Sequence, residues 1–284
     1  MSMEEKTIGI VVVTYNRLPK LKINIEHLLR LEQRPGYNYK FVIVNNNSLD
    51  GTREYINQFS DDDRFIICNL EENIGGSGGF YYGIKKCCDQ SFFAVWGMDD
   101  DAYPDEKSLT NLLDIGEQYN FLCCLQSNSY ESLIEGEKTK QIKSLIFVGF
   151  FLTCAMILKI GNVKKNFFIM HDDTEYSKRL ISNNIDIIFV RNSFIVHKSE
   201  CVNYYTGKYN KNLCLMKLPD WKMYYLVRNH FFTCKLYNES IIESVVYKFV
   251  PWFFKTLLFC PKQCRVLLKA LIDGISGNDS KYNK

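Results

Sequence analysis

Ile8-Gly9-Ile10-Val11-Val12-Val13 is an unbroken apolar run rich in β-branched residues. This is the pattern of a strand buried on both faces, hence of a parallel sheet covered by helices. A polar loop, Thr14-Tyr15-Asn16-Arg17, follows, and apolar residues at Leu18, Leu21, Ile25, Leu28 and Leu29 then recur at helical spacing, with Pro19 in the first turn. The alternation repeats. Phe41-Val42-Ile43-Val44 leads into Asn45-Asn46-Asn47-Ser48-Leu49-Asp50-Gly51-Thr52 and a helix carrying Tyr55, Ile56 and Phe59. Phe65-Ile66-Ile67-Cys68 leads into Asn73-Ile74-Gly75-Gly76-Ser77-Gly78-Gly79-Phe80 and another helix, and a fourth strand delivers Trp96-Gly97-Met98-Asp99-Asp100-Asp101-Ala102. Consecutive βα units predict an α/β fold: an open, Rossmann-like, mostly parallel sheet flanked by helices, with the loops after the strand C-termini gathered on one edge. Thr14, Asn16, Asn46, Asp50, Gly75, Gly76 and the Asp triplet all fall on that edge, where such sheets bind ligands.

Further along, the pattern predicts a helix over 107–118, a strand over 121–126, an irregular polar stretch over 130–144 and a core run over 147–158 that bends at Gly149. A helix opening at Asp172 or Asp173 and strands at 185–190 and 194–197 follow. From about Cys201 the βα rhythm stops and a helix is expected over 219–237. The chain therefore divides into an α/β part (1–200) and a C-terminal helical region (201–284).

Composition narrows the class. At 284 residues and 46% apolar the chain can bury a large core, and a net charge of +3 is too small to point to nucleic acid as the main partner, although an average can hide a local basic region. The first residues lead into a strand with no secretory pattern, so a cytoplasmic location is expected. Eleven cysteines, some in adjacent pairs, read as free thiols of a reducing compartment. Cys260 and Cys264 have no second pair to complete a zinc site.

Three adjacent carboxylates raise one another's pKa and call for neutralisation, by a divalent cation such as Mg²⁺ or Mn²⁺ or, if the loop is simply solvated, by water while they cap the next helix. The glycine run, lacking both dinucleotide-binding and P-loop spacing, points to close backbone approach to a nucleotide or sugar rather than to a linker. Asp172 and Asp173 read either as helix caps or as a carboxylate at the cleft mouth able to serve as a general base. His197 ends a strand, and becomes a third metal ligand if that strand runs towards the triplet.

At these residues the sequence resembles family 2 inverting glycosyltransferases of the GT-A fold. The motifs 14–17, 46–52, 73–76 and the Asp triplet match in order, over residues 7 to about 200. The segment 96–101, the run 172–176 and His197 look most similar to galactofuranosyltransferases and their rhamnosyltransferase relatives. The resemblance implies a metal held by Asp99, Asp101 and His197, with Asp173 as base. It also implies donor binding by Thr14, Asn16, Arg17, Asn46, Asp50, Gly75, Gly76 and Asp100, and places Trp96, Asp172 and Glu175 on the acceptor side. His171 stands where an aromatic residue often precedes the acidic pair, and Asn45-Asn46 where many members carry an acidic residue.

The C-terminal quarter adds Tyr204, Tyr205, Tyr209, Trp221, Tyr224 and Tyr225, which read as core or as a sugar-stacking surface. Arg228 reads as an acceptor-phosphate ligand or as half of a surface ion pair. Residues 244–272 hold five basic side chains, no acidic one and many Trp, Phe and Leu, interrupted by Pro251 and Pro261. That composition predicts a segment lying on an anionic inner leaflet, or packing on protein or on a second copy of the chain. The combined expectation is a metal-dependent enzyme, peripheral on the inner face of the membrane, that transfers galactofuranose from a uridine diphosphate donor to a lipid-linked or oligosaccharide acceptor. Rhamnosyl transfer from a deoxythymidine diphosphate donor and a catalytically silent glycan-binding subunit are the alternatives.

Overall fold

The structure, a computed structural model, describes residues 5–129, 137–197, 203–206 and 214–282. Two compact units emerge, one comprising Met1–Lys165 and Asp173–Lys198, the other Asn166–Asp172 and Ser199–Lys284. The short segment Asn166–Asp172 thus groups with the C-terminal region, whereas the sequence pattern assigned it to the first part.

In the first unit, β1 (Lys6–Thr14), α1 (Leu18–Leu29), β2 (Tyr37–Asn45), α2 (Thr52–Asn57), β3 (Phe65–Asn69), α3 (Gly75–Asp89) and β4 (Ala94–Asp99) alternate as the hydrophobic pattern predicts. They are followed by β5 (Ala102–Pro104), α4 (Ser108–Gln118), β6 (Cys124–Asn128), β7 (Thr139–Ile142), β8 (Phe150–Thr153), α5 (Cys154–Ile160), α6 (Asp172–Ser182) and β9 (Ile187–His197). The sheet runs β3-β2-β1-β4-β8-β6-β9-β5, with β7 also on β9. Strands β3, β2, β1 and β4 are mutually parallel, as are β6 and β9, so the central sheet is mostly parallel and helix-flanked.

Both faces are covered. Ile8, Ile10 and Val12 point into a core shared with Leu21, Ile25 and Leu112, while Val11 and Val13 point into one shared with Phe80 and Ile84. That double burial explains why β1 has no polar alternation. Glycines let α3 close onto the sheet: a Cβ at Gly79 would lie 2.4 Å from Val13 Cγ1, and one at Gly83 2.4 Å from Val11 Cγ1. Part of the glycine run is therefore a packing device.

Three departures concern the second half of the sheet. Residues 147–158 form not one core stretch but strand β8 and then helix α5, whose N-cap Thr153 accepts from Met156 N at 3.3 Å through its hydroxyl. β8 runs antiparallel to both β4 and β6, so the βα alternation is broken there. The expected bend occurs at Gly149, whose φ of +80° belongs to the left-handed region. Gly149 N donates to Gly97 O at 2.8 Å, and its carbonyl accepts from Ser127 N at 2.9 Å, stitching β4 to β6. The strands expected at 185–190 and 194–197 are one strand, β9, with a register irregularity opposite Ser127 and Asn128. Of the stretch expected to be irregular, 139–142 is β7, and 130–136 lies outside the described residues.

The second unit contains β10 (Tyr204–Thr206) paired antiparallel with β11 (Cys214–Met216), then α7 (Asp220–Leu236), α8 (Ile241–Ser244), a π-helical turn over Val245–Phe249, α9 (Val250–Phe259) and α10 (Cys264–Ser276). Its core joins Met223, Tyr224, Val227 and Phe231 of α7 to Leu267 and Ala270 of α10. Gly274 lets the two helices meet, since a Cβ there would lie 2.8 Å from Arg228 O. Tyr224 and Tyr225 are core residues, and Tyr224 donates its hydroxyl to Asp273 Oδ2 at 2.6 Å. Tyr209 and Cys201 lie outside the described residues.

Gly97 tests the packing beside the Asp triplet. A Cβ there would meet the buried Phe150 ring at 2.3 Å, and both residues sit on adjacent central strands. Gly97→Ala is expected to destabilise the protein by about 1–3 kcal/mol through overpacking. An unaltered urea midpoint would show that the ring has room to move.

Candidate active site

The polar edge of the sheet is assembled by strand register. β1 and β4 pair with Val13 opposite Asp99, so Thr14 lies beside the turn that follows β4. Its hydroxyl donates to Asp100 Oδ2 at 2.7 Å. Arg17, in the loop after β1, directs Nη1 to Asp101 Oδ2 at 3.0 Å and Asp100 Oδ1 at 3.4 Å. Lys20, three residues into α1, donates to the same Asp101 oxygen at 2.9 Å. From the other side, β5 pairs with β9 so that Ala102 faces His197, which sets His197 Nε2 3.4 Å from Asp101 Oδ1. Ligand-type atoms of Asp99, Asp101 and His197 all lie within 4.8 Å of one another.

These surroundings make the three carboxylates unequal. Burial, reinforced by the charges of Asp101 and Asp100, pushes Asp99 up to about 7. Burial also raises Asp100, to about 6, against the opposing donors Thr14 and Arg17. For Asp101 burial acts upward too, but His197, Lys20 and Arg17 together outweigh it and hold the carboxyl well below the usual range. His197 is raised by the same Asp101 contact.

The residues fit a divalent cation. Asp101 Oδ1 is buried and lies 3.4 Å from His197 Nε2, so a carboxylate oxygen and an imidazole nitrogen face one another inside the cluster. Two carboxylates and one imidazole nitrogen are a donor set suited to Mn²⁺ or Mg²⁺.

The loops expected to hold a nucleotide are fastened to one another. Asn16 adopts φ +51°, accepts from Leu49 N at 2.8 Å and donates its own N–H to Ser48 Oγ at 2.9 Å. Asp50 accepts from Leu18 N at 2.8 Å and from the Thr52 hydroxyl at 2.6 Å, so the second loop caps α1. Although burial acts upward, those donors hold Asp50 below its ordinary value. Enclosed Asn46 donates to Gly75 O at 2.9 Å and Asn73 Oδ1 at 3.0 Å, and accepts from Ile74 N at 3.0 Å. Gly75 has φ +77°, and the space where a Gly76 side chain would stand is open. Thr14, Asn46 and Asp100 are thus turned inward onto protein partners.

Three expected acceptor contacts are corrected. Trp96 is fully buried in β4, with its indole Nε1 donating to Ser127 Oγ at 3.3 Å. Glu175 is enclosed and clasped by Arg179 one helical turn on. Arg228, expected on the surface, is 0% exposed and donates to the carbonyls of Asn166 (2.6 Å) and Ser280 (3.0 Å). Asp172 and Asp173 open α6 as expected and both remain partly accessible. Asp173 Oδ1 accepts from Thr174 N at 2.6 Å, and burial pushes its carboxyl above the ordinary value. Sequence reasoning missed Lys20; its spacing of three from Arg17 at a helix start was the available signal.

The strand ends of the sheet carry an Asp–Asp–His cluster, Asp101 buried and Asp99 and His197 partly accessible, beside interlocked polar loops, in an α/β arrangement that matches GT-A structures. Residues 9–162, more than half of the chain, match the Glycosyl transferase family 2 model, and the chain belongs to that family of glycosyltransferases. No curated protein sequence matches the chain significantly. Among solved structures, the fold is similar to S. aureus TarS 1–349 in complex with UDP-GlcNAc, with 12% identity, TM-score 0.60 and coverage of 95% of this chain and 81% of that one. It is also similar to the mannosyltransferase PcManGT from Pyrobaculum calidifontis in complex with GDP-Man and Mn²⁺, with 12% identity, TM-score 0.57 and coverage of 96% and 76%. GalNAc-T7 with UDP, GalNAc and Mn²⁺ aligns at 12% identity and TM-score 0.63, covering 81% of this chain and 48% of that one.

A cation must displace protons from this cluster, and Asp99 titrates near 7 while His197 is raised. Below pH 7 both sites are increasingly protonated, so Mn²⁺ affinity is expected to rise as pH increases from 6 to 8. Calorimetry should record that slope, with Asp101→Ala and His197→Ala each weakening Mn²⁺ at least tenfold. A pH-independent affinity, or variants that bind as the parent does, would remove these ligands.

Proposed function

We propose that the protein is a metal-dependent inverting galactofuranosyltransferase that uses a uridine diphosphate donor and a lipid-linked or oligosaccharide acceptor in the synthesis of a surface polysaccharide. The observation that carries the metal-dependent reading is the convergence of Asp99, Asp101 and His197 at the strand ends, with their ligand-type atoms within 4.8 Å of one another. Solved neighbours bound to UDP-GlcNAc, UDP and GDP-Man, some with Mn²⁺, support a nucleotide-sugar donor and a divalent ion. The choice of galactofuranose rests on the resemblance of segments 96–101 and 172–176 and of His197; rhamnosyl transfer from a deoxythymidine diphosphate donor rests on the same residues. A silent binding subunit would have no use for both the ligand set and a separate carboxylate.

In this reading Asp99, Asp101 and His197 would hold a divalent cation, which would supply Lewis-acid neutralisation of the departing diphosphate. Asn16, Asp50, Gly75 and Gly76 shape the donor loops, and Arg17 brings positive charge to the edge of the cluster. Asp173 takes the proton from the acceptor hydroxyl as that oxygen attacks the anomeric carbon from the face opposite the leaving group. A single in-line displacement inverts the centre and needs no covalent intermediate. A carboxyl raised by burial is better matched to this task at neutral pH than an ordinary Asp. Asp172 stands next to it, on the acceptor side.

Residues 1–200 serve as the catalytic domain and 201–284 as an acceptor- and membrane-facing region. Among the described residues no helix is long and apolar enough to cross a membrane. Val246, Tyr247, Val250, Phe254, Leu257 and Leu258 are nevertheless exposed, recurring at helical spacing through the π-helical turn and α9. Lys248, Lys262, Arg265 and Lys269 are exposed on the same stretch of chain. Apolar side chains flanked by cations are the combination that binds an anionic leaflet peripherally.

Asp173→Asn is expected to keep calorimetric binding of UDP with Mn²⁺ while lowering transfer at least 10³-fold; a variant that turns over normally would end its role as base. A screen of nucleotide sugars should return UDP-galactofuranose as the best donor, and a preference for a deoxythymidine diphosphate sugar would select the rhamnosyl reading. Phe254→Glu with Leu258→Glu is expected to reduce sedimentation with anionic liposomes several-fold. Unchanged sedimentation would assign the apolar face to protein contacts, such as a second copy of the chain.

A further inference from the structure

Arg228 and Asn229 are fully buried polar side chains that the reaction as described above does not use. Both reach into the segment Asn166–Asp172, which lies in the same compact unit as α7. Asn229 Nδ2 donates to the carbonyls of Phe167, Ile169 and Met170, each at 2.8 Å. Arg228 Nη2 donates to the carbonyls of Asn166 (2.6 Å) and Phe167 (3.3 Å), while its Nε and Nη2 hold Asn229 Oδ1 at 3.0 and 2.8 Å. The guanidinium thus fixes the carboxamide, and the carboxamide gathers three carbonyls.

The gathered backbone is one that ordinary residues avoid. Phe168, Met170 and His171 have φ of +64°, +66° and +63°, a left-handed conformation that non-glycine residues rarely take and that persists only where surrounding contacts impose it. Ile169 N closes the tight turn on Phe167 O at 2.7 Å. The Phe168 ring stacks on Tyr225 at 4.7 Å between centroids, with the Arg228 guanidinium 4.7 Å from that same Tyr225 ring. Directly after His171 the chain enters α6, whose first two residues are Asp172 and Asp173.

We propose that Arg228 and Asn229 are positioning residues of the transfer reaction: they hold residues 166–171 in a left-handed turn from which the covalent chain delivers Asp173 in the orientation a base requires. Sub-ångström control is what a proton-abstracting group needs, and a carboxylate that follows a strained turn inherits its precision from whatever holds the turn. The proposal rests on the assignment of Asp173 as base.

The test compares Asn229→Ala, Arg228→Lys, Met170→Gly/Asn229→Ala and Asp173→Asn in the full-length protein. Asn229→Ala is expected to lower kcat at least tenfold while the donor KM and the calorimetric affinity for UDP with Mn²⁺ stay within twofold. Amides of residues 169–174 should exchange faster with deuterium, and those of β1 and β4 should not. Met170→Gly, which adopts the left-handed conformation without strain, should restore part of kcat on the Asn229→Ala background. Should Asn229→Ala not fold, Arg228→Lys, which keeps the charge and loses the planar fork, is expected to give the same kcat–KM split with a smaller drop. Full kcat in the latch variants beside an inactive Asp173→Asn would overturn the proposal, as would a parallel loss of donor binding and kcat, which marks a general folding role. An active Asp173→Asn would instead end the base assignment itself.

Discussion

Three adjacent carboxylates at the end of a central strand impose the dominant constraint on this fold. Two unit charges 4 Å apart repel by about 4 kcal/mol at an effective dielectric near 20. The chain answers by giving each Asp a different environment. Asp100 turns inward to Thr14 and is raised towards neutrality, Asp101 turns to Arg17, Lys20 and His197 and stays ionised, and Asp99 is left as a weak acid whose proton a cation can replace. Each partner comes from a different element: β1, the loop after it, α1 and β9. The cluster therefore exists only when the sheet and its first helix are fully assembled.

The first half of the sheet was legible because its signals are local. Continuous β-branched runs, polar loops and helical apolar spacing alternate from β1 to β4, and double burial leaves no ambiguity of face. The second half was less legible for physical reasons. Nothing in Phe150-Phe151-Leu152 distinguishes an antiparallel strand from a parallel one, since both are buried on two faces. The change from β8 to α5 rests on one hydroxyl, that of Thr153, in an otherwise apolar run. The Asp–Asp–His set was readable as a motif, yet the reason His197 reaches it, the antiparallel pairing of β5 with β9, is a long-range register that periodicity does not encode.

Trp96, Glu175 and Arg228, expected on the acceptor side, are all enclosed by protein partners. Trp96, Glu175 and Arg228 are residue types frequently found in sugar sites, but each is enclosed, and the enclosing partners lie 31, 4 and 62 positions away along the chain. A buried guanidinium satisfied by backbone carbonyls has the same sequence signature as one awaiting a phosphate. Only the partners distinguish them, and here those partners are the carbonyls of an unusual turn.

The irregularity in β9 has a consequence for how this enzyme family member can vary. Between Val190, opposite Ser127, and Phe194, opposite Asn128, β9 advances by four residues while β6 advances by one. The chain length of that excursion sets the phase of everything after it, because side chains alternate between faces along a strand. One additional residue there, with β5 pairing retained, would place Val196 opposite Ala102 and carry the imidazole past the carboxylates. The length of that excursion, in a segment that contains none of the three acids, thus decides whether His197 comes to rest beside the Asp triplet.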